Sequence, residues 1–199
     1  MTTLFSGVEY TGQTFTRLAG REQRISEVEF SECVFDACDF GAATFYRCTF
    51  LDCRFTTCDL GLASVPNSRF TDVQFTGCKL LGVDWTQAGD GATSLLPLAL
   101  RFTDCTLNFA TFFGLPLKGL TLTRCTAHEV DFTEADLTGA DLRGSDFARS
   151  KFARTNLTRA DLRGALNYAI DPTITTVKKA KFSLPEAVAL LRVFGVVVE

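Results

Sequence analysis

The chain has 199 residues, 46% of them hydrophobic, and a formal net charge of −3, enough for one domain with a substantial core and inconsistent with a disordered chain. No apolar run approaches the roughly 18 residues that a membrane helix needs, and the N-terminal MTTLFSGVEYTGQTF lacks the basic and apolar regions of a secretory leader, so a soluble cytoplasmic protein is expected. Charge is spread unevenly: residues 1–142 carry 18 acidic and 10 basic side chains, whereas residues 143–199 carry 5 and 10.

In chain order, the LAGREQR stretch at 18–24 has room for an insertion of five that would leave no phase shift. From Ile25 to Trp85 every fifth residue is apolar (Ile25, Phe30, Phe35, Phe40, Phe45 and onward), a period that neither the α-helix nor the alternating strand produces. It requires a backbone that turns regularly. Two residues before each centre sits a small side chain, and all eight cysteines (33, 38, 48, 53, 58, 78, 105 and 125) occupy that slot. Positions two apart point the same way in an extended segment, so both face inward. Four successive slots, 43, 48, 53 and 58, read Ala, Cys, Cys, Cys, which cannot close a four-ligand zinc site; in the stacked coils that the family resemblance given below implies, thiols lie side by side and do not converge for a disulfide. Reduced cysteine as a small core filler is the expectation. Between the inward slots, Glu32, Asp52 and Asp72 are spaced by twenty.

The beat breaks after Trp85. If the Trp85 unit ends at Gln87 and the next begins at Leu100, then AGDGATSLLPLA, Ala88 to Ala99, stands outside the repeat. Gly89, Asp90, Gly91 and Pro97 favour a loop; Leu95, Leu96 and Leu98 either meet a partner or fold back over Trp85. A second series of apolar centres runs from Phe102 to Leu162. It includes the only histidine, His128, at an outward position with no nucleophile beside it, and Arg143, Arg149, Lys151, Arg154, Arg159 and Arg163 near its end. In the twenty-residue coil that the family resemblance given below implies, Arg154 lies over Glu134, with Asp141 and Asp161 beside Arg143 and Arg163. No cofactor loop or metal-ligand cluster is present, so neither enzyme activity nor a cofactor or metal is expected. Beyond Gly164 the tail contains SLPEAVALLRVFGVVV, where Ser183 and Glu186 suggest a capping box and Gly195 a C-cap, giving an α-helix over 184–194 that is apolar nearly all round. Such a helix caps the end of the rod, and its surplus apolar surface (Leu184, Val188, Leu191, Phe194, Val196, Val197 and Val198) suggests a homodimer.

The ADLTGADLRGSDF stretch at 135–147 and the Cys-x-Phe units before it resemble the pentapeptide-repeat family. That resemblance implies an all-β solenoid, a right-handed quadrilateral β-helix with four five-residue faces per coil, over residues 1–164, interrupted at 88–99, with a cap and helix at 165–199. Residues twenty apart then stack at about 4.8 Å, so Glu32, Asp52 and Asp72 form a column that either imitates the phosphate spacing of DNA, about 3.4 Å along a strand, or is simply a solvated face. The insertion and the apolar tail are similar to those of Qnr-type members. The resemblance implies a non-enzymatic, DNA-mimicking homodimer that binds DNA gyrase or topoisomerase IV and modulates it or protects it from quinolones or toxins. It also implies no direct contact with nucleic acid or membrane. Asp90, Leu95, Leu96 and Pro97 would be the partner-binding loop and Glu32, Asp52 and Asp72 the acidic face. The alternative is a structural interaction scaffold with an unrelated partner.

Overall fold

The computed structural model describes residues 7–89 and 98–197, and over them the chain winds as a β-solenoid that ends in one short helix. A coil takes twenty residues and has four faces, because apolar centres five apart can share one axis only if the backbone turns a corner after each. On the first face Glu9–Thr11, Glu29–Ser31, Thr49–Leu51 and Arg69–Thr71 pair in parallel. The second face stacks six strands, from Thr14–Thr16 through Val73–Thr76 to Leu100–Thr103 and Thr121–Thr123. Single bridges hold the third face, from Ala19 with Asp39 up to Asp146 with Leu166, and most of the fourth. Bridges continue past Gly164, joining Asn156 to Thr176 and Asp161 to Lys181. The 18–24 stretch keeps the register: Gly20 stands at an apolar centre, where a Cβ would lie 2.6 Å from the Phe40 ring.

The repeated environment explains the abundance of phenylalanine. Phe15, Phe35, Phe55, Phe75 and Phe102 form one stacked column, with ring centroids 5.1, 4.5, 4.9 and 5.1 Å apart. Trp85, Phe112, Phe132 and Phe152 form another, and neighbouring columns meet edge to face. Flat rings stack at the spacing of the strands, and the alternation of stacked and edge contacts suits their quadrupoles.

The corners have a conformational cost. The residue two past most centres has a left-handed backbone, including Glu32 (φ 55°), Asp52 (51°), Leu62 (59°), Asp72 (52°) and Phe109 (62°). A left-handed L-residue costs roughly 1–2 kcal/mol. The turn is held because each such N–H donates to a carbonyl of the next coil, as Glu32 N does to Leu51 O at 2.8 Å and Phe109 N to His128 O at 2.9 Å. Phe109 bears this cost with its ring 56% exposed. Phe109→Gly is therefore expected to stabilise the fold by about 0.5–1 kcal/mol, read as a higher thermal midpoint; a lower midpoint would show that the exposed ring packs productively.

The cysteines are buried and free, but they do more than fill space. Each thiol except Cys125 donates to the carbonyl of an apolar centre one coil back: Cys33 to Tyr10 O, Cys53 to Phe30 O, Cys58 to Phe35 O and Cys105 to Phe75 O, at 3.3 to 3.4 Å. Ser68, Ser145, Thr155 and Thr175 make the same bond at the same slot. Cys78 and Cys105 continue one ladder, the Cys78 amide donating to Cys105 Sγ and the Cys105 amide to Cys125 Sγ, both at 3.4 Å. Thiols thus satisfy carbonyls that the strands leave over, which alanine cannot do. Burial raises Cys48 and pushes Cys53 up to about 11, disfavouring the reactive thiolate.

The insertion differs from the expectation. Phe75 pairs with Phe102, 27 residues on, so the coil exceeds the usual twenty by seven residues, not by twelve. Phe102 stands on the second face above Phe75 and not on the first above Phe70, where twelve extra residues would put it, so by count the step from Trp85 to Phe102 holds one first-face unit and seven additional residues.

At the C-terminus the expected α-helix is a 3-10 helix, Glu186–Phe194, and the capping box is not formed. The Ser183 hydroxyl accepts from the Gly164 amide at 2.8 Å and is therefore unavailable as a helix cap, while Pro185 at the N-cap makes no side-chain bond. Gly195, at φ 69°, closes the helix as expected.

Candidate functional site

The first face and its two edges gather features that lie far apart in the sequence. Glu32, Asp52 and Asp72 stand at successive turns of the corner between the first and second faces, all exposed, with their backbones stacked through Glu32 N to Leu51 O and Asp52 N to Thr71 O. No ion pair or side-chain hydrogen bond reaches any of the three among the described residues. Glu9 and Glu29 pair side by side on the adjoining strands. The insertion is rooted on this same face: Gly89 N donates to Ser68 O at 2.8 Å, and Val73 N donates to Ala99 O at 3.0 Å, so Ala99 continues the column above Asp72. The partner-loop residues Asp90, Leu95, Leu96 and Pro97 lie outside the described residues; of the two roots of their segment, Ala99 adjoins the acidic corner and Gly89 stands across the first face from it. Leu98 is half-buried and packs against the core.

Elsewhere several charges are paired. Arg124 beside Asp104, at 2.8 Å, holds that carboxyl below the usual carboxylate range. Arg143 and Arg163 do the same for Asp141 and Asp161, both at 2.7 Å. Arg149 meets Glu129 at 2.7 Å, Arg154 meets Glu134 at 2.6 Å and Lys151 meets Asp131 at 3.8 Å. Five basic residues of the C-terminal part are thereby paired, whereas Arg159, Lys178, Lys179, Lys181 and Arg192 make no ion pair among the described residues; the acidic corner of the N-terminal coils is likewise uncompensated. His128, one residue past the Ala127 centre, is half-buried, with Nε2 3.0 Å from Asp146 Oδ2 at ion-pair distance but without hydrogen-bond alignment.

The C-terminal residues divide into two groups. Leu190 and Phe182 pack against the core, and Val188 lines a cleft with Ala148 and Tyr168. Leu184 (79% exposed), Leu191, Phe194, Val196 and Val197 (81%) project outward, and no residue of the helix is fully buried. Val198 lies outside the described residues. Sequence reasoning missed a third apolar group: Leu62 (65% exposed), Leu81 and Phe109 line successive turns of the corner diagonally opposite the acidic one. A Cβ on Gly82 would lie 2.9 Å from Leu62 Cδ2, so Leu62 lies across that glycine. Leu62 and Phe109 fall two residues past apolar centres, where a corner side chain points away from the axis; that spacing was the signal available.

Residues 28–89 match the family model described as a pentapeptide repeat region, and residues 131–166 match that for pentapeptide repeats in eight copies. No curated protein matches the chain. Among solved structures, a trypsin-treated variant of QnrB1, a plasmid-mediated fluoroquinolone resistance protein, is similar with a TM-score of 0.72 at 20% identity, over 98% of this chain and 99% of that one. A second trypsin-treated variant gives 0.71 at 21% over the same shares, and full-length QnrB1 gives 0.66 at 20% over 98% and 100%. At these identities the likeness is one of fold.

Proposed function

The chain is a pentapeptide-repeat protein that shares its fold with QnrB1, and on that premise we propose that it binds DNA gyrase or topoisomerase IV and modulates or protects the enzyme without catalysing a reaction. The observation that carries this reading is the unpaired carboxylate column Glu32, Asp52 and Asp72, set on the face where the insertion is rooted. Like charges at about 4.8 Å repel one another, and their retention at left-handed corners that other turns give to glycine adds a conformational cost. Repulsion kept in one column suits a binding surface. A duplex presents phosphates about 3.4 Å apart along each strand, so a basic channel shaped for DNA would accept this edge electrostatically. Asp90, Leu95, Leu96 and Pro97 would then supply the specific contact.

Leu184, Val188, Leu191, Phe194, Val196, Val197 and Val198 would bury their apolar surface against a second copy, placing two rods end to end. The exposed corner of Leu62, Leu81 and Phe109 favours a second reading, an interaction scaffold for another protein, since it lies on the edge away from the carboxylates.

The combined variant Glu32→Gln, Asp52→Asn and Asp72→Asn tests the leading reading. Its thermal midpoint is expected to rise as repulsion is relieved, while gyrase binding falls about tenfold and depends less steeply on salt. Wild-type binding is expected to be competed by duplex DNA. Unchanged affinity in the variant would remove the corner from the interface.

A further inference from the structure

The corner that carries Glu32, Asp52 and Asp72 changes sign along the rod. Above Asp72 the same column continues through Ala99, Gly119 and Gly139 to Arg159 and Lys179, with corner N–H groups donating one coil up, as Gly139 N does to Thr158 O at 2.8 Å and Arg159 N to Lys178 O at 2.9 Å. Side chains no larger than a methyl group thus separate the two ends, and a Cβ at Gly119 or Gly139 would meet nothing within 4 Å. Four steps at the inter-strand spacing put Arg159 about 19 Å from Asp72, well beyond the Debye length of about 8–10 Å, so at physiological salt the two ends act independently.

The basic end is a cluster. Lys178 precedes Lys179 on the same turn, and Lys181 opens the second face beside them, bridged to Asp161 one coil below. Arg159, Lys178, Lys179 and Lys181 are all exposed and make no ion pair among the described residues. Beneath Lys181 on the second face, Asp161 and Asp141 each hold their own arginine, Arg163 and Arg143, at 2.7 Å. Positive charge therefore dominates this end.

We propose that the cluster of Arg159, Lys178, Lys179 and Lys181 binds the phosphate backbone of duplex DNA, in departure from what the family resemblance implies and independently of the topoisomerase reading. The composition of the surface favours that partner over a protein. Lysine is depleted from protein–protein interfaces, which need an aromatic or apolar anchor, and the residues between these cations, Thr158, Thr176 and Ala180, supply none. Protein–DNA interfaces are polar and strongly positive. Phosphate contacts carry no sequence information, so binding independent of base sequence is expected. The acidic coils repel a duplex and confine it to the C-terminal end of the edge.

Anisotropy of a short fluorescent duplex titrated with the full chain tests the proposal. With about four phosphates neutralised, affinity is expected to fall about a hundredfold between about 50 and about 200 mM salt. The combined variant Arg159→Gln, Lys178→Gln, Lys179→Gln and Lys181→Gln is expected to bind at least about tenfold more weakly at the lower salt and to lose most of the salt dependence, at an unchanged thermal midpoint. The variant Glu32→Gln, Asp52→Asn and Asp72→Asn is expected to bind the duplex like the wild type at the higher salt. No duplex binding at the lower salt, or binding unchanged in the basic-end variant, overturns the proposal. Equally tight binding to polyglutamate or to vesicles of anionic phospholipid makes the surface a general polyanion contact and also overturns it. Self-association in sedimentation that is lost in both the acidic-corner and basic-end variants, without duplex binding, makes a second copy the occupant and overturns it as well. Duplex binding without gyrase binding removes the topoisomerase reading and leaves this one standing.

Discussion

Phe75→Ala is expected to destabilise the fold by about 4 kcal/mol and to split its unfolding into two transitions. The ring is 1% exposed and stacks on Phe55 at 4.9 Å and on Phe102 at 5.1 Å, with Trp85 edge-on at 5.9 Å. Truncation leaves a cavity the width of a ring, and the neighbouring stacked and edge contacts each lose roughly 0.5–1.5 kcal/mol beyond the burial itself. In a solenoid each coil touches only its neighbours, so a fault in one layer uncouples the two sides. Phe75 and Phe102 lie on either side of the insertion, and the second-face ladder runs through both. Chemical denaturation followed by Trp85 fluorescence and by circular dichroism is expected to give coincident transitions for the wild type and separate ones for the variant. A single transition displaced by less than about 1 kcal/mol would mean that the layers are coupled by other contacts.

Replacing Asp90–Pro97 with one leucine is expected to abolish any effect on gyrase while leaving the fold intact. The 27-residue step from Phe75 to Phe102 exceeds the other coils by seven, and this replacement removes seven residues net. It leaves Ala88, Gly89, Leu98 and Ala99 around an apolar centre over Phe70, a complete first-face unit. Excision of all twelve residues from Ala88 to Ala99 is a different experiment, because Phe102 would then fall over Phe70 and the remaining coils would turn by one face. Shortening a surface connection by this length changes closure entropy by only about 1 kcal/mol, so stability is expected to stay close to that of the wild type. Protection retained by a folded replacement would show that the segment is passive and would return the whole interface to the rigid faces.

The inward positions of the core were readable because the fold repeats one decision many times: an apolar centre every five residues requires a backbone that turns regularly, and the four faces per coil came from the resemblance to the pentapeptide-repeat family. The same spacing placed Arg154 over Glu134 and set Glu32, Asp52 and Asp72 in line. What escaped it was whatever depends on backbone dihedrals or on relations between coils. Counting residues outside the repeat gave twelve for the insertion, and only the pairing of Phe75 with Phe102 shows that five of them replace a face. Left-handed φ at Leu62 and Phe109 was hidden because glycine did not mark the corner. The cysteines were read by size alone, although serine and threonine at the same slot hinted at a shared donor role. Ser183 matched a capping box in sequence and was claimed instead by Gly164, twenty residues back less one. The acidic corner was legible as a charge pattern, but its nearness to the Ala99 root of the insertion arises only when first-face strands are laid side by side.

The most direct test of the proposed function is gyrase-catalysed supercoiling of relaxed plasmid with the purified full chain titrated in, with and without a fluoroquinolone at a concentration that halts the enzyme. Micromolar protein is expected to restore supercoiling in the presence of drug, or to inhibit the drug-free reaction, and the acidic-corner variant is expected to require more protein for the same effect. Supercoiling indifferent to the protein under both conditions, with no binding to gyrase or topoisomerase IV, would contradict the assignment.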